Sequence, residues 1–324
     1  MLDHCAFNGD ADGLCALQQL RLGGELAADV RLVSGVKRDI DLLRRVQAGP
    51  GERVTVLDIS FDQNRADAAR LLTAGAGLRY FDHHFAGDLP EHPAFEPFID
   101  VAADVCTSLL VDRFLQGRFH RWAVAAAFGD GMPGPARALA ERHGVAQEDL
   151  AALEELGLLL NYNAYGDHLA DLHFDPVALA AELLPYDDPL AFVRLSPSFA
   201  RLREGHAADM AAAASLEPWR VGEGASLYRL PAKPWARRVS GVLANQLAAR
   251  DPQRALGLLS ARADGDWTFS LRVPANASLE ADAFCRGFAT GGGRKRAAGI
   301  NRLPGQALEG FARRLLDSYP HAAP

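Results

Sequence analysis

The 324-residue chain has only four cysteines, Cys5, Cys15, Cys106 and Cys285, scattered and without a Cys-x-x-Cys pair. That spacing excludes a disulfide framework and a thiolate zinc site. No apolar run approaches the ~20 residues that span a bilayer, so no membrane partner is expected. Met1-Leu2-Asp3-His4 is not a basic stretch leading into an apolar core, so a cytoplasmic protein with reduced thiols is expected. Internal repeats and low-complexity tracts are absent too. What the chain has is acid, unevenly placed. Residues 1–216 carry eighteen Lys/Arg against thirty-two Asp/Glu, a balance of −14. Residues 217–324 carry sixteen against nine, a balance of +7. An acidic part that holds cations and a basic part that holds an anionic substrate would divide the charge this way.

The length is comfortable for two domains. In the first half, strand-like runs (Leu2–Phe7, Val30–Val33, Val54–Leu57, Leu78–Phe81) alternate with helical ones (Asp12–Leu22, Asp39–Val46, Gln63–Leu72). Such alternation predicts an α/β fold with a parallel sheet and helices on both faces. The chain turns mostly helical after Asp104. Pro185 to Pro189 and Ser196-Pro197-Ser198 punctuate it, and 186–216 reads as a helical connector between domains 1–185 and 217–324. The last part reads as a smaller mixed α/β domain: strand 226–230, helix 237–249, strands 254–262 and 267–273, helix 279–288, strand 298–303 and helix 306–317.

Four apolar runs end directly in an acid or a histidine. Cys5-Ala6-Phe7 leads into Asn8-Gly9-Asp10-Ala11-Asp12-Gly13, Val54–Leu57 into Asp58, Leu78–Phe81 into Asp82-His83-His84, and Val124–Phe128 into Gly129-Asp130. Ligands of an open parallel sheet bind beyond the carboxyl ends of its strands. These runs would bring Asp10, Asp12, Asp58, Asp82, His83, His84 and Asp130 to one rim. Carboxylates and imidazoles gathered there repel one another unless cations lie between them, so a divalent-metal site is expected. Asp10 and Asp12, two residues apart, can each reach a different ion, with Asp58 as the bridge; two such ions clamp the attacking and leaving oxygens of a phosphoryl displacement. Oxygen donors with a little imidazole suit Mn2+, or Mg2+, better than zinc.

The order Asp-x-Asp-Gly, lone Asp, Asp-His-His, Gly-Asp resembles that of the DHH phosphoesterases, which include RecJ-like exonucleases and nanoRNases. Gly291-Gly292-Gly293-Arg294-Lys295-Arg296-Ala297-Ala298-Gly299 is similar to the glycine motif of the DHH-associated C-terminal domain. The resemblance runs from residue 8 to residue 299. It implies Asp12, Asp58, His83 and Asp130 around one ion and Asp10 with Asp58 around the other, His84 toward the substrate phosphate, and Asp82 supporting the site. Many members carry a His or Asp early in the first motif; here the positions hold Ala6 and Asn8, and Asn8 offers only a neutral amide oxygen.

On the substrate side the resemblance implies phosphate contacts from Arg272, Gly291, Gly292, Gly293, Arg294 and Lys295, with Arg294 in place of the motif histidine. The glycine triplet lets backbone approach an anion closely, and a guanidinium binds phosphate but cannot give up a proton near neutrality. Lys37 and Arg38 could also reach the cleft. Asn161 to His168 is similar to an Asn-Ala-x-Gly segment of the exonuclease branch, with Asp167 where an Arg often follows; Asn163 and His168 are possible cleft residues. The expected activity is therefore manganese-dependent hydrolysis of nucleotides or short oligonucleotides, with a homodimer open. The alternative is a nucleotide-binding regulator with weak or lost catalysis, for which Asn8, Arg294 and Asp167 speak.

Overall fold

β1 (His4–Phe7) is buried along its whole length and leads straight into α1 (Ala11–Leu22). The computed structural model describes residues 3–262 and 264–320. The chain continues through β2 (Arg31–Val33), β3 (Arg53–Leu57), α2 (Phe61–Thr73), β4 (Gly77–Asp82) and β5 (Phe95–Ile99). These strands form one sheet in the order β2-β1-β3-β4-β5, parallel throughout. Short continuous apolar strands such as Val54–Leu57 fit a sheet covered on both faces. From β1 the chain steps outward to β2, then returns to lay β3 on the other side of β1. This reversal opens a crevice at the carboxyl ends of β1 and β3, where Asp10 and Asp58 follow.

The stretch 39–46 forms only a 3₁₀ turn at Leu42–Arg45. β5 carries Pro97, which argues against a strand; as an edge strand it tolerates the missing donor. Helices follow: α3 (Thr107–Phe114), α4 (His120–Gly129), α5 (Pro133–Arg142), α6 (Gln147–Ala164), α7 (Pro176–Leu183), α8 (Pro189–Leu195) and α9 (Pro197–Ala214). The apolar run Val124–Phe128 is therefore helical. Asp130 reaches the site from the end of α4 rather than from a strand. What brings it there is a close approach: a Cβ on Gly129 would lie 2.4 Å from Ala11 Cβ, and one on Gly157 would lie 2.0 Å from Ala125 O. Two glycines thus let α1, α4 and α6 pack backbone to backbone. No helix among the described residues is long and apolar enough to cross a membrane.

The chain divides into two compact units, residues 1–205 and 206–324, so the division falls inside α9. The second unit contains β6 (Arg220–Val221), β7 (Ala225–Leu230), α10 (Pro234–Arg250), β8 (Ala255–Ala261), β9 (Trp267–Arg272), α11 (Ala281–Cys285), β10 (Gly291–Arg294), β11 (Ala297–Leu303) and α12 (Leu308–Ser318). Its sheet runs β10-β11-β9-β8-β7-β6, with β7 and β8 parallel and the other pairs antiparallel. One face buries Phe269, Leu271 and Ile300 against Phe284 and Phe311. Residues two apart share a face, so Ser270 and Arg272 lie on the other side, where Asn245 of α10 meets Arg272.

Candidate metal centre

Asp10 is the N-cap of α1. Its Oδ1 accepts from the N–H groups of Asp12 and Gly13 at 3.0 and 3.2 Å, a standard use of a short acid at a helix start. Its Oδ2 takes the Lys37 ammonium at 2.5 Å. Asp12, in the first turn of α1, is buried. Its two oxygens accept from the N–H groups of Thr107 and Ser108, each at 2.7 Å. Those amides begin α3, so one carboxylate occupies two of that helix's otherwise unpaired donors. Asp58 ends β3 with φ +58°. A residue with a side chain held in the left-handed region outside glycine marks a place where local strain is tolerated. Thr107 Oγ1 donates to Asp58 Oδ1 at 3.3 Å.

Asp82 is fully buried, and both of its oxygens are taken by donors. Its Oδ2 accepts from Phe61 N–H at 3.1 Å. Its Oδ1 accepts from the N–H groups of His83 and His84 at 2.9 and 3.2 Å and from His84 Nδ1 at 2.7 Å. It fixes the turn that aims both imidazoles. His83 Nδ1 lies 3.0 Å from Val105 O. A carbonyl can only accept, so Nδ1 carries a proton, and in the neutral ring Nε2 presents its lone pair. That lone pair faces Asp58 Oδ1 at 3.3 Å, Asp130 Oδ2 at 3.8 Å and Asp12 Oδ2 at 4.0 Å.

Lone pairs aimed at lone pairs repel unless something positive lies between them. Asp12, His83 and Asp130 each offer a ligand atom within 4.8 Å of the others, as do Asp58, His83 and His84. A histidine whose other nitrogen is held by a backbone carbonyl is the usual form of an imidazole ligand. Asp12, Asp58, His83 and Asp130 therefore fit a divalent cation. The second expected set, Asp10 with Asp58 and Asn8, is arranged differently. Asp10 already caps a helix and holds an ammonium. Asn8 Oδ1 is buried without a hydrogen-bond partner among the described residues.

The electrostatics agree. Burial, then Asp10, Asp12 and Asp130, push the Asp58 carboxyl well above its usual range. Burial and Asp12 raise Asp130 to about 6. Asp10 goes the other way: burial opposes its ionisation most, but the Lys37 ammonium, the Gly13 amide and Asp58 together hold the carboxyl low. The hydrogen bond that His84 Nδ1 donates to Asp82 holds the His84 pKa above its ordinary value, against burial.

A pH dependence follows for the metal-free protein. Asp130 takes up a proton in the fold at about pH 6, against an unfolded value of 3.8. Between these values the native state binds more protons, so this group's contribution is present at low pH and lost as pH rises through about 6. In chelator, the Tm deficit of wild type relative to Asp130→Asn is expected to be largest at pH 7.5 and to shrink toward pH 5. A difference that is flat across that range would show that Asp130 is not crowded by the other carboxylates.

Other expected residues lie elsewhere. Asn163 Oδ1 accepts from the N–H groups of His173 and Phe174, and its Nδ2 donates to Phe174 O, so it clamps a buried turn instead of lining a cleft. His168 opens a short 3₁₀ turn and is exposed. Arg38 Nη1 lies 3.4 Å from Asp167. In the second unit Gly291-Gly292-Gly293 is not a loop but the edge strand β10, paired to β11. Two of its glycines answer to packing: a Cβ on Gly291 would lie 1.7 Å from Cys285 O, and one on Gly293, at φ +146°, 2.4 Å from Ala298 Cα. Gly292 alone faces open space. Arg294 and Arg272 both stand opposite Ala297, in neighbouring strand pairs, and so share one sheet face. Lys295 is paired with Glu280 at 3.0 Å. Thr107, Ser108 and Asn161 also contact the site residues, beyond those expected from the sequence. A Thr-Ser pair opening a helical run was the available signal for the first two.

No protein-family model matches the chain, and no curated protein matches it. Solved structures do. An exonuclease RecJ bound to manganese superposes with TM-score 0.64 at 18% identity, over 98% of this chain and 91% of that one. RecJ from Thermus thermophilus in complex with Mn2+ gives 0.62 at 20%, over 99% of this chain and 53% of that one, so the chain spans about half of its length. PggH, a pGpG-specific phosphodiesterase from Vibrio cholerae, gives 0.57 at 13%, over 98% of both chains. A protein described by its DHH domain gives 0.63 at 14%, over 97% of this chain. The chain has the fold of the DHH-domain proteins, with the second unit included.

Proposed function

We propose that this chain, built on the DHH fold, is a divalent-metal-dependent phosphoesterase acting on a nucleotide or short oligonucleotide. The observation that carries the reading is the convergence of three carboxylates on the lone pair of His83 Nε2. Asp12, Asp58, His83 and Asp130 would hold the ion, and oxygen donors with one imidazole suit Mn2+ or Mg2+. The bound ion would supply charge neutralisation to the phosphoryl group and acidity to the attacking water. The chain's own groups do the rest. Asp82 holds His84 by Nδ1, and its partner nitrogen is left to donate to a phosphate oxygen. The raised pKa keeps that imidazole protonated further toward neutrality. The RecJ and PggH likenesses support phosphoester cleavage as the reaction class, because those proteins are described as an exonuclease and a phosphodiesterase.

The test is a substrate panel run with Mn2+ on the full chain: bis-p-nitrophenyl phosphate, phosphoadenosine phosphate, linear dinucleotides and oligonucleotides up to ten-mers. Turnover of at least one class that disappears in chelator is expected. A protein that binds Mn2+ and nucleotide but turns over none of them would be the nucleotide-binding regulator.

The basic second unit is assigned the remaining phosphates, through Arg272 and Arg294. Asn245 Oδ1 holds Arg272 Nε at 2.9 Å, and Gly292 leaves the same sheet face open. A charge-assisted contact is worth about 1.5–3 kcal/mol. Arg272→Ala and Arg294→Ala are each expected to lower kcat/KM about ten- to hundredfold on substrates with a second phosphate. The small chromogenic diester should be affected far less. Equal losses on both substrates would move these arginines out of substrate selection and into folding or the reaction centre.

A further inference from the structure

We infer that the Lys37 ammonium takes the place of one of the two metal ions expected from the sequence, so that the chain binds one divalent ion and completes the site with a lysine. This rests on the metal-dependent reading above and deepens it.

The position of Lys37 is built. Its backbone N–H donates to Ala164 O at 3.0 Å, at the end of α6. Its Nζ donates to Asn161 Oδ1 at 3.0 Å and to Asp10 Oδ2 at 2.5 Å, stands 4.0 Å from Asp130 Oδ1, and lies 5.6 Å from the Tyr165 ring centre. The loop that carries it is pressed against the loop that carries Asp10: a Cβ on Gly9 would lie 2.4 Å from Gly35 O. The ammonium is therefore held by three elements and cannot swing clear of Asp10 without breaking contacts to α6.

The same place is poor in metal donors. Ala6, fully buried in β1, offers none. Asp10 Oδ2, the oxygen left over from the helix cap, is taken by the ammonium. Asn8 contributes only a neutral oxygen. An ion on Asp10 Oδ2 would sit a few ångströms from a fixed positive charge, and the neighbouring carboxylates, Asp58 and Asp130, are the ones already facing His83. Charge balance points the same way. Asp10, Asp12, Asp58 and Asp130 bring −4 when ionised; one dication and one ammonium bring +3. A second dication beside the ammonium would leave the site positive before any phosphate arrived. The two cations also differ in chemistry. An ammonium can donate hydrogen bonds to a phosphate oxygen but cannot acidify water, so Lys37 supports the phosphate and the nucleophile belongs to the Asp12/Asp58/His83/Asp130 side.

The test counts ions and does not depend on turnover. The full-length protein is stripped with chelator and titrated with Mn2+, free ion being read by room-temperature electron paramagnetic resonance and coupling by frozen-solution spectra. Wild type is expected to bind one Mn2+ per chain, with a mononuclear spectrum. Lys37→Met, which keeps the stem and removes the charge, is expected to admit a second ion and show a spin-coupled pair. Asp10→Asn, which preserves the helix cap, is expected to keep a count of one with affinity within about threefold. Two coupled ions in wild type overturn the inference. So does a folded Lys37→Met that still binds one, or an Asp10→Asn that loses the single ion. Wild type that binds no Mn2+ would instead overturn the metal-dependent reading on which the inference rests.

Discussion

Asp58→Asn is expected to abolish Mn2+ binding and lower turnover by about a thousandfold or more, roughly 4 kcal/mol of transition-state stabilisation, while leaving the fold intact. Asparagine is the right replacement because it tolerates the left-handed backbone better than alanine, and Asp58 sits at φ +58°. It keeps the volume and leaves an oxygen for Thr107 Oγ1. What it removes is the charge opposite His83 Nε2. The same change has a second, opposite consequence. Burial and three neighbouring carboxylates disfavour the Asp58 charge, so the metal-free variant should melt higher than metal-free wild type at pH 7.5. A variant with near-wild-type turnover and unchanged Mn2+ affinity would remove Asp58 from the site.

Asp82→Ala is expected to be the most destabilising single change at the site, by about 3–5 kcal/mol, with activity lost alongside. The magnitude follows from its partners. Truncation leaves the N–H groups of Phe61, His83 and His84 without their acceptor in a buried turn, and unsatisfied buried donors cost about 1–3 kcal/mol each. A chemical-denaturation curve checks this. Asp82→Asn is the milder change: it keeps an acceptor for His84 Nδ1 and removes the charge, at the cost of turning its amide nitrogen toward the Phe61 N–H. Asp82 is the principal cause of the raised His84 pKa, so in Asp82→Asn the imidazole gives up its proton at lower pH. The alkaline limb of the rate profile should therefore move to lower pH. A limb that stays in place would mean that protonated His84 does not take part.

Much of the first unit was legible because its signals are local. A short apolar run that stops at an acid is a strand end with a polar rim, and Asp10, Asp58, Asp82 and His83 stand where that rule puts them. Asp12 could be read as a helix cap or as a ligand; the cap is Asp10, and Asp12 lies buried in the first turn of α1, 4.0 Å from His83 Nε2. The rule failed at Val124–Phe128, where an apolar run lay in a helix hydrophobic on all sides. Five apolar residues have no period that separates a buried strand from a buried helix. It also passed over β10, because three glycines carry no side-chain pattern; only the fit against Cys285 O and Ala298 makes them a strand.

The sequence by itself determined which residues follow or end β1, β3 and β4, in what order those motifs come, and how charge is divided between the two halves. Each of these depends on neighbours a few positions apart. The tertiary structure decided which of those residues face one another. Asp130 reaches the site because Gly129 lets α4 touch Ala11; Asp12 is fixed by amides 95 and 96 positions away; His83 presents Nε2 because Val105 O takes its Nδ1; and Lys37, 27 positions from Asp10, lies on its carboxylate because Gly9 and Gly35 let two loops meet. Charge interactions depend on distance through space, and that distance is set by backbone packing that no local pattern records.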